Sequence, residues 1–168
     1  MNSIDRLIMK IIPPADYHHR NGFTNTSIID ALDGAEKQAV ENRLINLLAI
    51  KSDMLIVETL GYMKSQNAVN HLTVMLNEAH DAVDRLILAS SIFKITADKS
   101  ICEIALDASS SIDNNYPTVV HYEYTLMAMF YYMASFHDSR IDNIIRKYIK
   151  NKDLLLSYNA NRALGLTN

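Results

Sequence analysis

The chain has 168 residues, of which 49% are hydrophobic and 21% charged, and its formal net charge is −3. That length favours a single domain, residues 1–168, and the mild acidity gives no reason to expect nucleic acid or an anionic membrane as a partner. No apolar run approaches the ~20 residues of a membrane span, and the first residues carry too many charges for a signal peptide. The only cysteine is Cys102. A single cysteine suits a reducing compartment, so a cytoplasmic location is predicted.

The first part of the chain predicts a short lead helix followed by a loop, together residues 1–25. Ser3 can cap a helix with isoleucines on one face, and Pro13 and Pro14 end it. After the loop, Thr26 or Ser27 can cap the next helix. The third helix begins near Asp33 and has Glu36 at the spacing of a capping box.

The rest of the chain predicts only helices. Glycine and proline are scarce, with four and three residues, and no run alternates with period two as a strand would. The apolar residues instead recur at helical spacing, with short polar breaks between segments. The predicted helices span residues 53–64, 66–78, 82–95, 100–112, 118–136, 139–150 and 154–166.

Four of these segments repeat one another. In "ETLGYM", "SSIFKI", "MAMFYYM" and "NRALGL", the residues Leu60, Ile92, Phe130 and Leu164 fall in register, 32, 38 and 34 positions apart. A polar break and a second amphipathic helix follow each of the first three. Glycine beside Leu60 and beside Leu164 would let neighbouring helices approach closely. The pattern predicts repeated helical hairpins across residues 26–166, with an unpaired first helix at the end.

The stretch "DMLIVETLGYMKSQNAVNHLTVMLNEAHDAVDRLILASSIFKI" resembles HEAT-like repeats. The resemblance implies an all-α fold, a HEAT-like α-solenoid of antiparallel hairpins. The spacings are shorter than the ~40–47 residues of standard HEAT and armadillo repeats, and the Trp-based signature of the ~34-residue tetratricopeptide repeats is absent. A compact helical bundle is the alternative fold.

The overall plan is also similar to HEAT-like immunity proteins of bacterial toxin systems. The similarity rests on "GFTNTSIIDAL", "EKQAVENRLINLL" and "LIVETLGYMKS", together with small size and mild acidity. It implies a non-enzymatic protein that binds and neutralises a cognate toxin domain, in competition between bacteria. A generic HEAT-like scaffold or adaptor is the second hypothesis. A metal-dependent or lyase-type enzyme of the HEAT-repeat class is the third.

Sequence motifs give no support to the enzyme hypothesis. The chain has no P-loop, no Gly-x-Ser-x-Gly and no Gly-x-Gly-x-x-Gly, and it lacks the His-Glu dipeptides of di-iron HEAT-repeat hydroxylases. Cys102 stands among apolar residues, as a small buried side chain would. We therefore expect no catalytic residues, no metal ligands and no cofactor.

The loop "PPADYHHRNGF" is the one stretch with several reactive side chains together. Three interpretations stay open. Asp16 and His18 could form part of a metal site, the loop could be a polar connector, or it could contact a partner. The last interpretation names Tyr17, His18, His19 and Arg20, because Tyr and Arg are enriched at interface hot spots.

Two further features suggest partner contacts. Residues 78–113 hold seven acidic against three basic residues, whereas residues 138–152 hold five basic against two acidic. Glu103 and Asp107 share a helix face in the layer that lines the concave side of HEAT-like solenoids, so they could form an acidic patch for a basic partner. Five of the nine tyrosines cluster in and just before one predicted helix: Tyr116, Tyr122, Tyr124, Tyr131 and Tyr132. Of these five, Tyr116 and Tyr122 are the ones expected to be exposed. The alternative for the charged residues is ordinary solvated surface, and the alternative for the tyrosines is burial in the core.

Overall fold

The computed structural model describes residues 3–20, 22–116 and 122–166 of the chain, except the side chain of Tyr17. These residues form helices and no strand, which confirms the all-α class. No helix among them has the length and apolar character needed to cross a membrane. The α-helices are α1 (Ser3–Ile11), α2 (Tyr17–Arg20), α3 (Thr26–Asp30), α4 (Gly34–Leu48), α5 (Met54–Tyr62), α6 (Val69–Glu78), α7 (Ala82–Thr96), α8 (Ile101–Asn115), α9 (Tyr122–Ala134), α10 (Ser139–Arg146) and α11 (Leu154–Ala163), with a 3₁₀ turn (Gln66–Ala68) before α6.

Aspartate side chains begin most of the longer helices. The predicted capping box of α4 is present: Asp33 accepts from the backbone N–H of Glu36, whose side chain accepts from the backbone N–H of Asp33. A capping side chain satisfies a backbone donor that has no partner within the helix. The same arrangement, an aspartate accepting from backbone N–H groups of the first turn, recurs at Asp53, Asp81, Asp138 and Asp153.

Helices α5, α7, α9 and α11 contact one another in chain order, and we call them the odd-helix row. On the other side, α7 contacts α6 and α8, and α10 contacts α8, α9 and α11. The lead helix α1 packs against α3 and α4, and α4 packs against α5. Helices α5, α7, α9 and α11 therefore pack against the helix two places along the chain, and α7 and α9 also contact the helices adjacent to them in sequence.

One hydrophobic core runs through these contacts. Leu60, Ile92 and Phe130, the residues in register, are buried with 0%, 2% and 0% exposure, whereas Leu164 is only half-buried. Every residue of α7 from 86 to 92 is buried, because α7 has neighbours on several sides. A helix covered on all sides needs no polar stripe, which explains the weak amphipathic pattern of α7.

The close approach expected at Gly61 is present between α5 and α7. A Cβ built on Gly61 would lie 2.9 Å from Ser91 Cβ and 3.0 Å from Ser91 Cα. Only glycine leaves room for Ser91 at this contact. Gly165 differs from the expectation: nothing lies within 4 Å of its hypothetical Cβ. Its φ of +67° shows that it serves a left-handed turn instead.

Each helix of the odd-helix row is followed by a residue in the left-handed region. These residues are Lys64, Ala97, His137 and Gly165, with φ of 54°, 55°, 50° and 67°. Left-handed backbone closes a helix end by turning the chain away from the helix axis. It costs a residue other than glycine about 1–2 kcal/mol.

Several boundaries differ from the sequence-based predictions. The loop after Pro14 contains a helical turn, α2, started by the side chain of Asp16. Asn25, and not Thr26 or Ser27, precedes α3. Helix α10 ends at Arg146 because the backbone forms tighter turns up to residue 150. Residues 118–121 of the predicted 118–136 helix lie outside the described residues.

Candidate functional site

The loop that begins at Pro13 is folded against the body of the protein through Arg20. Both terminal nitrogens of Arg20 donate to the carboxylate of Asp53, each at 2.8 Å, and the guanidinium also donates to the carbonyl of Pro13. The Asp53 side chain is only 4% exposed, and Lys51 Nζ lies 3.7 Å from it. Hydrogen bonding by Arg20 lowers the pKa of Asp53. Arg20 therefore holds the loop to the start of α5.

Asp16 and His19 form a second, exposed pair in this loop. His19 Nδ1 lies 2.8 Å from Asp16 Oδ2, and the backbone N–H of His19 donates to Asp16 Oδ1 at 3.0 Å. The hydrogen bond from His19 lowers the pKa of Asp16. His18 is exposed. The pair offers a carboxylate and an imidazole, both of which can bind a metal ion. Among the described residues, no group of three or more His, Cys, Asp or Glu side chains could hold a metal ion.

The end of the same loop forms one wall of a groove of about 820 Å³. Helices α5, α7 and α9 form the other walls, so three consecutive helices of the odd-helix row contribute. We call it the tyrosine groove. Its lining consists of residues 22–26 with Leu55, Glu58, Thr59, Tyr62, Lys94, Ala128, Tyr131 and Tyr132.

Asn25 fixes the loop wall of the groove. Its side-chain amide is buried and donates to the carbonyl of Ile11 at 3.0 Å and to Thr59 Oγ1 at 2.8 Å. Thr59 in turn donates to the carbonyl of Leu55 at 2.6 Å. A buried amide without these partners would be costly, so the loop and α5 hold one another in place.

Three tyrosine rings line the groove, and the hydroxyl of each donates to an acceptor on another segment. Tyr62 donates to both carboxylate oxygens of Asp30, at 2.8 and 2.9 Å, and Tyr131 donates to Asn159 Oδ1 at 2.8 Å. The third ring, Tyr132, donates to Glu58. Tyrosine provides a large contact area with few rotatable bonds. Because the hydroxyls are tethered, these rings are oriented before any ligand arrives.

Two side chains of opposite charge type, Glu58 and Lys94, both line the groove. Lys94 Nζ lies 5.8 Å from the centre of the Tyr132 ring, a cation–π distance. Desolvation by the groove walls lowers the pKa of Lys94, and Glu58 acts in the opposite direction. Burial and the neighbouring Glu58 carboxylate raise the pKa of Tyr132, so its hydroxyl stays protonated at neutral pH. Among the described residues, no salt bridge joins Glu58 or Lys94 to a partner within 4 Å.

Glu103 and Asp107 lie on α8, outside the tyrosine groove. Their side chains are 69% and 67% exposed, as expected, but each meets an arginine at 2.8 Å: Arg140 on α10 for Glu103 and Arg85 on α7 for Asp107. Asp113 likewise meets Lys147, at 2.5 Å. The acidic and basic segments of the sequence thus pair with each other at Glu103–Arg140 and Asp113–Lys147, which leaves less unpaired charge on this surface.

Tyr116 and Tyr122 are both part-buried. Tyr116 packs edge-on against Tyr148, with ring centres 5.5 Å apart. The greatest exposure among the clustered tyrosines is instead at Tyr124 and Tyr131, with 63% and 42%.

Cys102 is buried, and burial raises the pKa of its thiol, which makes it a weaker nucleophile.

Three groove residues stand at one fixed offset from residues of the predicted register. Tyr62, Lys94 and Tyr132 each stand two positions after a register residue, Leu60, Ile92 and Phe130 respectively. All three line the same groove. The sequence contains this signal as a polar or aromatic residue two positions after each of the first three residues of the predicted register. The second helices of the hairpins, where the resemblance placed the concave side, do not line this groove.

Comparisons with known proteins give no relative: no family model, no curated protein and no solved structure matches this chain.

Proposed function

We propose that the chain is a short HEAT-like α-solenoid that binds a protein partner in the tyrosine groove. Support for the solenoid comes from the contacts of α5, α7, α9 and α11 in chain order and from the recurring left-handed residue after each of them. The observation that carries the binding proposal is the common position of Tyr62, Lys94 and Tyr132 in one groove. Repeat proteins bind through surfaces made from equivalent positions of successive repeats.

The chemistry of the groove suits a segment of polypeptide. Tethered aromatic rings offer contact area at little entropic cost, and the hot spots of protein interfaces are enriched in tyrosine. Glu58 and Lys94 add one charge of each sign, so a partner segment with a cation and an anion could pair with both. A volume of about 820 Å³ accommodates several side chains of such a segment.

The most concrete form of the proposal is an immunity protein that occupies and neutralises a toxin domain in the cytoplasm. The sequence resemblance supports this form, and no catalytic role is assigned to the chain. In the alternative form, the chain is an adaptor that holds its partner without blocking the partner's activity. The two forms differ in one observable, the activity of the bound partner.

Site-specific photo-crosslinking tests the proposal. A photoreactive phenylalanine analogue replaces exposed Ala128 in the groove, and a matched variant carries it at Val74, which is 56% exposed on α6. In cells that normally contain the protein, we expect one protein species to crosslink at position 128 and not at position 74. Equal crosslinking at both positions, or none at position 128, would contradict groove binding.

Growth then distinguishes the two forms. The partner identified by crosslinking is expressed alone, with the wild-type chain, and with a variant of the chain that carries Tyr132→Ala and Tyr62→Ala. The immunity proposal expects growth arrest by the partner alone, rescue by the wild-type chain and loss of rescue with the groove variant. A partner that is harmless on its own would favour the adaptor.

A further inference from the structure

A second pocket lies between the lead helix, the end of α4 and the start of α5. Its volume is about 290 Å³, and none of the described residues lines both this pocket and the tyrosine groove. Apolar residues between positions 8 and 15 form one wall, and apolar residues between positions 47 and 56 form the other. We call it the lead-helix pocket. All but three of its lining residues are apolar, so most of its surface suits an apolar ligand.

The three charged lining residues, Arg20, Lys51 and Asp53, lie together. Both terminal nitrogens of Arg20 donate to the Asp53 carboxylate, and Lys51 Nζ lies 3.7 Å from the same carboxylate. The backbone N–H of Leu55 also donates to Asp53, so each carboxylate oxygen already has a donor. Two cations against one anion leave this end of the pocket with an uncompensated positive charge. The charge of the pocket therefore favours an anionic ligand.

Lys51 is the cation that a ligand can reach. Its side chain is 65% exposed, and 3.7 Å is too long for a hydrogen bond to Asp53. In the described part of the chain, Lys51 has no other ion pair. The nearby acid Asp16 pairs with His19 at 2.8 Å and is not among the described lining residues. A ligand carboxylate at this end would give the Lys51 ammonium a hydrogen-bond acceptor.

The apolar walls are formed before a ligand arrives. Pro13 and Pro14 have a restricted backbone, and Arg20 donates to the carbonyl of Pro13. On the opposite wall, Ile56 is 3% exposed and belongs to the core. Pockets for small molecules measure ~300–1,000 Å³, so a volume of about 290 Å³ suits a ligand at the small end of that range.

We propose that the lead-helix pocket binds a small-molecule carboxylate with a short apolar chain. The chain lies between Met9 and Ile12 on one wall and Leu47 and Ile56 on the other, and the carboxylate pairs with Lys51 at the charged end. This inference goes beyond the proposed protein-binding function and does not depend on it, because the two linings have no described residue in common.

The affinity should rise with the length of the chain until the apolar walls are covered. Full burial of one methylene group tightens binding about fourfold. A ligand of about ten non-hydrogen atoms should bind such a small site with a dissociation constant on the order of 0.1–1 mM. Butanoate, hexanoate, octanoate and decanoate form a series in which only the chain length changes.

Nuclear magnetic resonance titration of the full chain, isotope-labelled at its methionine methyl groups, tests the proposal with this series. We expect the methyl signal of Met9 to shift saturably, whereas that of Met75 on α6, outside the pocket, keeps its position. Each added methylene group should tighten binding by up to about fourfold. Octylammonium has the same chain as octanoate and the opposite charge, so it should bind more weakly.

Two pairs of variants separate the contribution of the charge from that of the apolar wall. Lys51→Gln should weaken octanoate binding roughly two- to fivefold, the range of an exposed ion pair, and leave octan-1-ol binding unchanged. Lys37→Gln, exposed on α4 outside the pocket, should bind octanoate like the wild type. Met9→Glu places a carboxylate beside the ligand chain and should weaken octanoate binding more strongly. Val74→Glu, at a position of similar exposure on α6, should not weaken it.

Three results would overturn the proposal, provided that far-ultraviolet circular dichroism shows each variant to be folded. The first is a Met9 signal that does not shift at about ten times the expected dissociation constant. The second is equal binding of octanoate and octylammonium, which would mean that Lys51 does not select an anion. The third is tighter binding of N-acetyl-leucine, which resembles the C-terminal residue of a protein, because the pocket would then receive a protein chain end.

Discussion

Arg20 and Asp53 form a bidentate ion pair, with two nitrogen–oxygen distances of 2.8 Å, between the loop after the lead helix and the first turn of α5. Asp53 also accepts from the backbone N–H of Leu55, so one carboxylate caps a helix and anchors a loop. This pair gives the "PPADYHHRNGF" loop a structural role. Whether Tyr17, His18, His19 and Arg20 also contact a partner stays a prediction.

Removing one member of this pair should be costly. Arg20→Ala leaves Asp53, whose side chain is 4% exposed, without its main partner. Loss of one partner of a buried pair costs roughly 3–5 kcal/mol, so we expect a loss toward the lower end of that range in urea unfolding. Arg85→Ala, which breaks the more exposed pair with Asp107, should cost much less. Equal losses of unfolding free energy for both variants would contradict a larger contribution of the buried Arg20–Asp53 pair.

The pH dependence of stability should report the same pair. Arg20 lowers the pKa of Asp53 in the folded state, below its unfolded value. The pair therefore stabilises the fold fully above the unfolded pKa, near 3.8, and this stabilisation is lost as pH falls through the lower folded pKa. Urea unfolding at several pH values from 7 to 2.5 should show a smaller acid-induced loss for Arg20→Ala than for the wild type. If the unfolding free energies of Arg20→Ala and the wild type fall in parallel with pH, the Arg20–Asp53 pair is not the source of the pH dependence.

Gly61→Ala should destabilise the contact between α5 and α7. The added Cβ would lie 2.9 Å from Ser91 Cβ, and relief requires the two helices to separate. Overpacking of this kind costs roughly 1–3 kcal/mol in chemical denaturation. The control is Gly34→Ala, because nothing lies within 4 Å of that position. Adding Ser91→Gly to Gly61→Ala should recover part of the loss, and no recovery would mean that another contact is responsible.

Ala97→Gly should stabilise the protein. Ala97 has a φ of 55°, where a Cβ is unfavourable and glycine is not. We expect a gain of about 1 kcal/mol, the lower end of the cost of left-handed backbone, measured as a rise in melting temperature. Ala128→Gly, in the interior of α9, should instead lower stability by a similar amount. A loss at both positions would show that residue 97 is not left-handed in solution.

The repeat register predicts graded effects of truncating its members. Phe130→Ala and Ile92→Ala remove buried side chains and should cost about 3–5 and 2–5 kcal/mol. Leu164→Ala should cost clearly less, because Leu164 is half-buried. Denaturant unfolding gives all three values. Losses below about 1 kcal/mol for both Phe130→Ala and Ile92→Ala would contradict the register.

Local sequence was enough to predict most of the helices and much of the core. The spacing of apolar residues, the Asp33–Glu36 capping box and the proline pair after the lead helix act within a few residues, so they can be read directly from the chain. The close approach at Gly61 was predicted from a glycine beside a core leucine, but the same argument failed at Gly165, which serves a turn instead. The groove residues Tyr62, Lys94 and Tyr132 were predictable in principle from their fixed offset to the predicted register, since the three register residues lie on helices that pack in a row.

Tertiary structure alone decided the contacts between segments distant in sequence. No local pattern joins Arg20 to Asp53, Asn25 to Thr59 or Tyr132 to Glu58, because each pair forms only when separate helices pack together. The uneven charge distribution shows the same limit: Glu103 and Asp113 look like a free acidic surface until α10 brings Arg140 and Lys147 beside them. The sequence by itself determined which segments are helical and which faces are apolar, since both depend on short-range spacing. Packing determined which polar side chains bind one another inside the protein and which remain exposed, since that depends on distances the linear order does not contain.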